Sequence, residues 1–371
     1  MITTVHTPYD GRIYHKQCKS LKKAGYDVVL IAPKPKVYES NDIKLIEIVK
    51  PKKEITRFLR TLQVVKIARN TKADIYHFHD PELVPVGVIL RFITRKPVIF
   101  DVHEHYPNAI MSKKYLSKPL KRIMRLMYEC VEKISLPFLS GVIYTTNWIG
   151  KRYEKYRNCK IENYPIKQMF PENISLSAKV DASFIYLGGI TEIRGVIELI
   201  EAFCKVVKVH SQATLLFVGR FESEAFKNTV LSKIRDLDLS DNITIKGQVP
   251  YEEIKEYLKT TSIGIIPYLP EPNHLVCMPN KLFEYMASGQ AVLASNFPNY
   301  SGVIEKANCG LTFNPKDPAD IAQSMIHLLD NPTEISEYQK NGRLAFDQLY
   351  NWEHEEKKLL SFYRLVLTGK Y

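Results

Sequence analysis

At 371 residues the chain is too long for one average domain and fits two α/β domains with sizeable cores, and its hydrophobic fraction of 45% is that of a globular protein. The net charge of +12 is unevenly spread: residues 1–165 hold 31 Lys and Arg against 15 Asp and Glu, and the remainder holds 21 against 25. No apolar run reaches the roughly 18 residues of a bilayer span, residues 1–6 lack the regions of a signal peptide, and the six scattered cysteines fit reduced thiols better than a disulfide framework or zinc site.

The expected location is therefore the cytoplasm. A basic first half suits an anionic membrane surface, a lipid-diphosphate substrate or nucleic acid, and a merely solvated basic face would look the same.

In chain order the pattern is a short β-branched strand, then a helix, repeated. Strands are predicted at 2–6, 27–33, 44–49, 75–79, 98–102 and 141–145, with helices at 12–24, 56–70, 82–94 and 119–136. Val- and Ile-rich strands alternating with helices imply a parallel sheet covered on both sides, hence a Rossmann-like first domain over 1–165. Such sheets hold ligands beyond the carboxyl ends of their strands, which selects residues 8–12, 77–80 and 101–105. A polar, Pro-containing segment from about 163 to 180 reads as a linker. The second domain, 166–351, repeats the theme, with strands at 184–187, 214–218, 243–246, 262–267, 291–295 and 311–313 and a helix at 195–209. Helices near 317–330, 332–349 and 352–368 close the chain.

Residues 278–296 read as a helix of about ten residues that begins inside a ligand site. Pro279 suits its first position and Gly289 its left-handed terminus. Leu282, Phe283 and Met286 form an apolar face, while Lys281 and Glu284, three apart, project together. Free amides at the N-terminus beside Lys281 suit a diphosphate, and Glu284 could accept from a ribose diol; an ordinary capped surface helix would show the same features. Three turns of the second half join Gly to a basic residue: Gly188 to Arg194, Gly219-Arg220, and Lys281. Facing the His, Asp and Glu of the first half across a cleft, they would make a group-transfer layout. His77 and His79 share one side of a strand, yet no third ligand has metal-site spacing. The G-x-G-x-x-G, G-x-S-x-G and P-loop patterns are absent, which disfavours NAD enzymes, hydrolases and kinases.

With these pieces placed, the chain resembles the family 4 glycosyltransferases, the retaining GT-B group, over nearly its whole length. The resemblance is carried by Pro8-Tyr9-Asp10-Gly11-Arg12-Ile13, His77-Phe78-His79-Asp80-Pro81-Glu82-Leu83, Asp101-Val102-His103-Glu104, Asn163-Tyr164-Pro165, Leu187-Gly188-Gly189-Ile190 through Arg194-Gly195, and Pro279-Asn280-Lys281 through Gly289. It implies two Rossmann-like domains, a nucleotide-sugar donor held by the second, a lipid-linked or saccharide acceptor held by the first, and metal-independent transfer with retention. It also implies a terminal helix within 352–371 that crosses back to the first domain.

By that resemblance Glu284 is the ribose ligand, Arg194 takes the place of a phosphate-binding Lys, and His103 lies near the reacting sugar. Gly188, Gly189, Arg220 and Lys281 complete the donor set; Asp10, Arg12, His79, Asp80 and Glu104 lie on the acceptor side. His103, Arg194 and Lys281 form the catalytic set, and no cofactor or metal is expected. Two departures stand out: Val276 replaces the first Glu of the usual Glu-x7-Glu pair, and Gly189 stands where many relatives have Arg. The implied activity is hexosyl or N-acetylhexosaminyl transfer in cell-surface polysaccharide synthesis. A nucleotide-sugar epimerase and a non-catalytic nucleotide-sugar binder remain the alternatives. No nucleic-acid module is recognisable.

Residues 112–133 combine Lys113, Lys114, Lys118, Lys121, Arg122, Arg125 and Lys133 with Leu120, Ile123, Met124, Met127 and Val131. This basic amphipathic helix reads as a contact with an anionic membrane at the inner face of the plasma membrane. Its apolar stripe could equally be domain core.

Overall fold

The computed structural model describes residues 1–40, 42–49, 63–112, 116–170 and 179–369. The chain divides into two compact units, residues 1–163 with 352–371, and residues 164–351.

In the first unit six parallel strands run β1 (Val29–Pro33), β2 (Lys44–Ile48), β3 (Tyr76–Phe78), β4 (Val98–Val102), β5 (Gly141–Tyr144) and β6 (Asn158–Lys160). They form a two-stranded ladder β1-β2 and a four-stranded ladder β3-β4-β5-β6. Ile2 bridges Ile31 and Phe78 and so ties the two together. The strand predicted over 2–6 therefore shrinks to that bridge. Its continuation is captured by Asp80, whose Oδ2 accepts from the Thr3 and Thr4 hydroxyls and from the amides of Thr4 and Val5. A side-chain acceptor here outcompetes the ladder for the backbone donors. The helix predicted at 56–70 lies partly outside the described residues; 63–70 are helical.

The helix predicted at 12–24 is a π-helix, Gly11–Cys18, continued by α-helix Lys19–Lys23. Asp10 caps it, accepting from the amides of Arg12 at 2.8 Å and Ile13 at 3.0 Å. In an α-helix, residues five apart point about 140° away from each other. The wider π turn instead lets Arg12 and Gln17 converge on one carboxylate, that of Asp101. The helix Trp352–Thr368 packs within this unit, Trp352 donating to Ser20 Oγ at 2.9 Å and Tyr363 Oη lying 2.6 Å from His77 Nδ1.

The second unit is one six-stranded parallel sheet, with β7 (Val180–Leu187), β8 (Thr214–Val218), β9 (Ile243–Lys246), β10 (Thr261–Ile266), β11 (Ala291–Ser295) and β12 (Gly310–Phe313) in the order β12-β11-β10-β7-β8-β9. β7 and β10 lie at its centre and their carboxyl ends carry the loops of interest. Strand β7 starts before the predicted 184, because Val180 pairs with Thr261 and Ser183 with Thr214. The helix Asn280–Ala287 is shorter than expected and takes Pro279 as its cap, not its first turn; Gly289 is left-handed as expected, with φ +66°. Tyr285 anchors it, its hydroxyl bonding the Leu187 amide and the Ile185 carbonyl across the sheet.

Candidate functional site

In the second unit the site grows from the turn after β7. Gly188 has φ +107°, and a Cβ there would lie 3.3 Å from Arg194 Nη1 and 3.4 Å from Lys281 Nζ. Only glycine can both take this turn and leave the space between the two cations open. Arg194 ends a 3₁₀ turn, Glu192–Arg194, and donates to the Gly189 carbonyl at 3.1 Å, which also accepts from Tyr186 Oη at 2.7 Å. Gly195, with φ +68°, packs so closely on the Pro267 carbonyl that a Cβ would sit 1.9 Å from it. That contact fixes where Arg194 emerges.

Lys281 is buried, and its Nζ has no hydrogen-bond partner among the described residues. It lies 4.1 Å from the Tyr186 ring centre and 4.8 Å from that of Tyr268, and Arg194 lies over the same Tyr268 at 5.2 Å. Burial pushes the Lys281 ammonium well below its usual pKa, the Arg194 charge adds to this, and Glu284 opposes it. Two cations held against aromatic faces, with no hydrogen-bonding acceptor for Lys281 Nζ among the described residues, are costly unless a ligand brings further negative charge. Glu284 is half-buried on the same helix. Arg220 is exposed, and its carbonyl accepts from the Ile190 amide. Val276 is buried, and its amide donates to the Asn273 carbonyl at 3.3 Å.

In the first unit His79, Asp80, His103 and Glu104 line a cavity of about 260 Å³ with His6 and Glu82. Beneath it lies a buried polar cluster. Arg12 grips Asp101 through Nε at 3.2 Å and Nη2 at 2.9 Å. Asp101 Oδ2 faces His79 Nδ1 at 3.6 Å and His77 Nε2 and His103 Nε2 at 3.7 Å, and His79 and His103 share a 3.1 Å contact. Burial disfavours the Asp101 anion, but Arg12 and then His103 more than reverse this and hold the carboxyl well below its usual range. His79 is driven well below its usual value, first by burial. Of the residues expected on the acceptor side, Arg12 is the buried counter-ion of Asp101, and Asp10 caps the π-helix while its Oδ2 lies 3.3 Å from His6 Nδ1. Asp80 is mostly engaged with the Thr3–Val5 backbone, although Oδ1 still faces His6 Nε2 at 3.6 Å.

The third ligand missing from the linear pattern is Asp101: His77, His79 and Asp101 offer ligand atoms within 4.8 Å of one another. Arg12 already neutralises that carboxylate at hydrogen-bond distance, so a divalent ion there would sit against a guanidinium. The residues therefore fit a metal poorly. His6, Gln17, Tyr186 and Tyr268 were not singled out from the sequence. His6 and Gln17 carried no motif, and Tyr186 lies inside a predicted strand and Tyr268 just beyond one, with no local pattern to mark either.

The Glycosyltransferase Family 4 model matches residues 11–163, and the Glycosyl transferases group 1 model matches residues 181–331, one in each unit. The chain belongs to this glycosyltransferase family. The capsular polysaccharide biosynthesis glycosyltransferase CapM of Staphylococcus aureus is 20% identical over 370 residues, covering 95% of this chain and 93% of its own. The uncharacterized glycosyltransferase MJ1069 of Methanocaldococcus jannaschii is 22% identical over 206 residues, and there the match covers 55% of this chain and 49% of MJ1069. The chain thus spans about half the length, or less, of several curated relatives it matches. HepE of Anabaena, solved with UDP and glucose, superposes with a TM-score of 0.75 at 15% identity, covering 98% of both chains. The family 4 chain therefore has the GT-B fold, with a parallel sheet in each of two Rossmann-like units.

Proposed function

We propose that the protein transfers a hexosyl or N-acetylhexosaminyl group from a nucleoside-diphosphate sugar to a lipid-linked or saccharide acceptor, with retention and without a metal, in cell-surface polysaccharide synthesis. The observation that carries this reading is the pair Arg194 and Lys281, two cations flanking one glycine turn, of which Lys281 is buried with no acceptor among the described residues. Relatives named for capsule and amylovoran synthesis support the polysaccharide role, and the UDP and glucose bound to HepE support the donor class.

Breaking a glycosyl–diphosphate bond leaves positive charge on the sugar and negative charge on the departing phosphate. Preorganised cations beside that phosphate lower the barrier without a covalent intermediate. Arg194 presents a fork to two oxygens and Lys281 a point charge. Glu284 would accept from the ribose hydroxyls. The aromatic walls of Tyr186 and Tyr268 exclude water, so each charge acts more strongly than it would in solvent. In the first unit, the His103 edge and the carboxylates of Glu82 and Glu104 suit neutral sugar hydroxyls. Val276 offers no polar group to the donor sugar, so sugar choice falls to other contacts.

The test incubates the protein with a panel of nucleotide sugars and lipid-diphosphate or saccharide acceptors, with and without a chelator, and reads product anomeric configuration by NMR. Acceptor-dependent nucleoside diphosphate release with retained configuration is expected. Sugar isomerisation without acceptor would show an epimerase, and binding without turnover a non-catalytic relative.

A further inference from the structure

The helix Lys118–Ser135 is inverted relative to its domain. A surface helix normally turns its apolar stripe to the core. Here the residues buried in that helix are Glu132 and Ser135, while Ile123, Leu126, Met127 and Ile134 are 54% to 70% exposed. The apolar stripe is not core.

The inversion is held by a buried polar network. The Glu132 carboxylate accepts from Tyr128 Oη at 2.7 Å, from Tyr153 Oη at 2.8 Å and from Arg152 Nε. Rolling the apolar row inward would tear this buried anion from Arg152 and Tyr153, the two donors outside the helix, a large penalty. The neighbouring helix Val84–Thr94 packs against this one and widens the apolar surface. Its Phe92 is 62% exposed and meets the ring of Phe138 at 5.3 Å.

Projected at about 100° per residue, Ile123, Met127 and Ile134 fall on one flank of the outward face and Lys118, Arg122 and Lys133 on the other, with Arg125 behind them, about 20° from the buried Glu132. The four cations are exposed, and Arg125 has a salt bridge to Glu129. A second copy docked antiparallel would cover the apolar row but bring the same cations toward their like, and one docked parallel would leave the cations without counter-charge. An anionic bilayer satisfies both rows at once: acyl boundary for the apolar flank, lipid phosphates for the cations. Among the described residues no helix is long and apolar enough to cross a membrane.

We propose that this outward face, with Phe92 and Phe138 beside it, seats the protein on an anionic phospholipid bilayer with the helix lying in the headgroup plane. This goes beyond the transfer reading and does not depend on it.

The test is co-sedimentation of the full chain with vesicles of phosphatidylcholine alone or mixed with phosphatidylglycerol. Wild type should partition to the anionic vesicles and be partly released by salt. Ile123→Ser/Met127→Ser/Ile134→Ser should lose at least about tenfold in partitioning while keeping the wild-type circular dichroism melt, because its side chains are already exposed. Lys118→Gln/Arg122→Gln, a variant with still less reason to misfold, should lose the preference for anionic lipid. Wild type ignoring anionic vesicles, or the serine variant binding equally well, overturns the proposal. So does a wild-type dimer that the serine variant dissolves in the absence of any vesicle binding, which would make a second copy the occupant.

Discussion

Lys281 holds its ammonium 4.1 Å from the centre of the Tyr186 ring, buried and with no hydrogen-bond partner among the described residues. A cation so placed costs the empty protein stability and repays it when an anion arrives. Lys281→Met should therefore raise the stability of the ligand-free protein by about 1–3 kcal/mol, since an apolar side chain of similar length needs no counter-charge. The same variant should lose roughly 10²-fold in turnover. Thermal melts paired with transfer assays check both signs; a destabilised variant with full activity would place Lys281 in the architecture alone.

Because burial and Arg194 depress the Lys281 pKa, the ligand-free protein loses the ammonium proton once pH exceeds that depressed value, and binding a nucleoside diphosphate there should pull a proton back onto the amine. Affinity should then fall as pH rises through the depressed value. Calorimetric titration in buffers of different ionisation enthalpy measures the uptake, and an unchanged apparent enthalpy would contradict it.

Glu284 is assigned to the ribose hydroxyls, and hydrogen bonds to charged groups are worth roughly 1.5–3 kcal/mol. Glu284→Gln should weaken nucleoside diphosphate binding by about 10- to 100-fold with little change in melting temperature. Equal affinity in the folded variant would remove Glu284 from the site.

Asp101 and Arg12 are a buried pair, and breaking one costs far more than replacing both. Asp101→Asn should destabilise the protein by roughly 3–5 kcal/mol by leaving the guanidinium uncompensated, and Arg12→Met/Asp101→Leu should recover much of that loss. Denaturant unfolding of the three proteins measures this.

His6 has its pKa raised, first by its hydrogen bond to Asp10, against burial, with the charges of Asp80, Asp10 and Glu104 assisting. A raised folded pKa contributes stability that is full below the unfolded value near 6.5 and is lost as pH rises through the folded value. Burial disfavours the Asp10 anion, but the His6 contact and the Ile13 and Arg12 amides outweigh it, so its pKa is lowered and its stabilisation is lost as pH falls through the folded value. Melting temperature should therefore decline on the alkaline side of pH 6.5 and at strongly acid pH, and His6→Gln should flatten the first decline. An unaltered pH profile in that variant would contradict the assignment.

Alternating β-branched strands and helices were enough to read two parallel-sheet units, because a strand covered on both faces is buried at every position and reads as a largely apolar run: β4, β10 and β11 are buried throughout, and their few polar residues, Asp101, Thr261, Ser262 and Ser295, are the exceptions. The Gly188–Arg194 turn and the Lys281–Glu284 helix were also legible, since special backbone angles and short spacings are local properties. What the linear order did not contain was which distant groups meet. Asp101 recruits Arg12 from 89 residues away, and Tyr186 and Tyr268 close around Lys281, because these contacts exist only once strands pair. The same holds for the helix Lys118–Ser135. Its amphipathic pattern was plain in the sequence, but which side faces the core was decided by Glu132 reaching Arg152 and Tyr153, some 20 residues onward. Periodicity measures how apolar residues are spaced around a helix; only the partners of its buried polar groups determine which way that helix is turned.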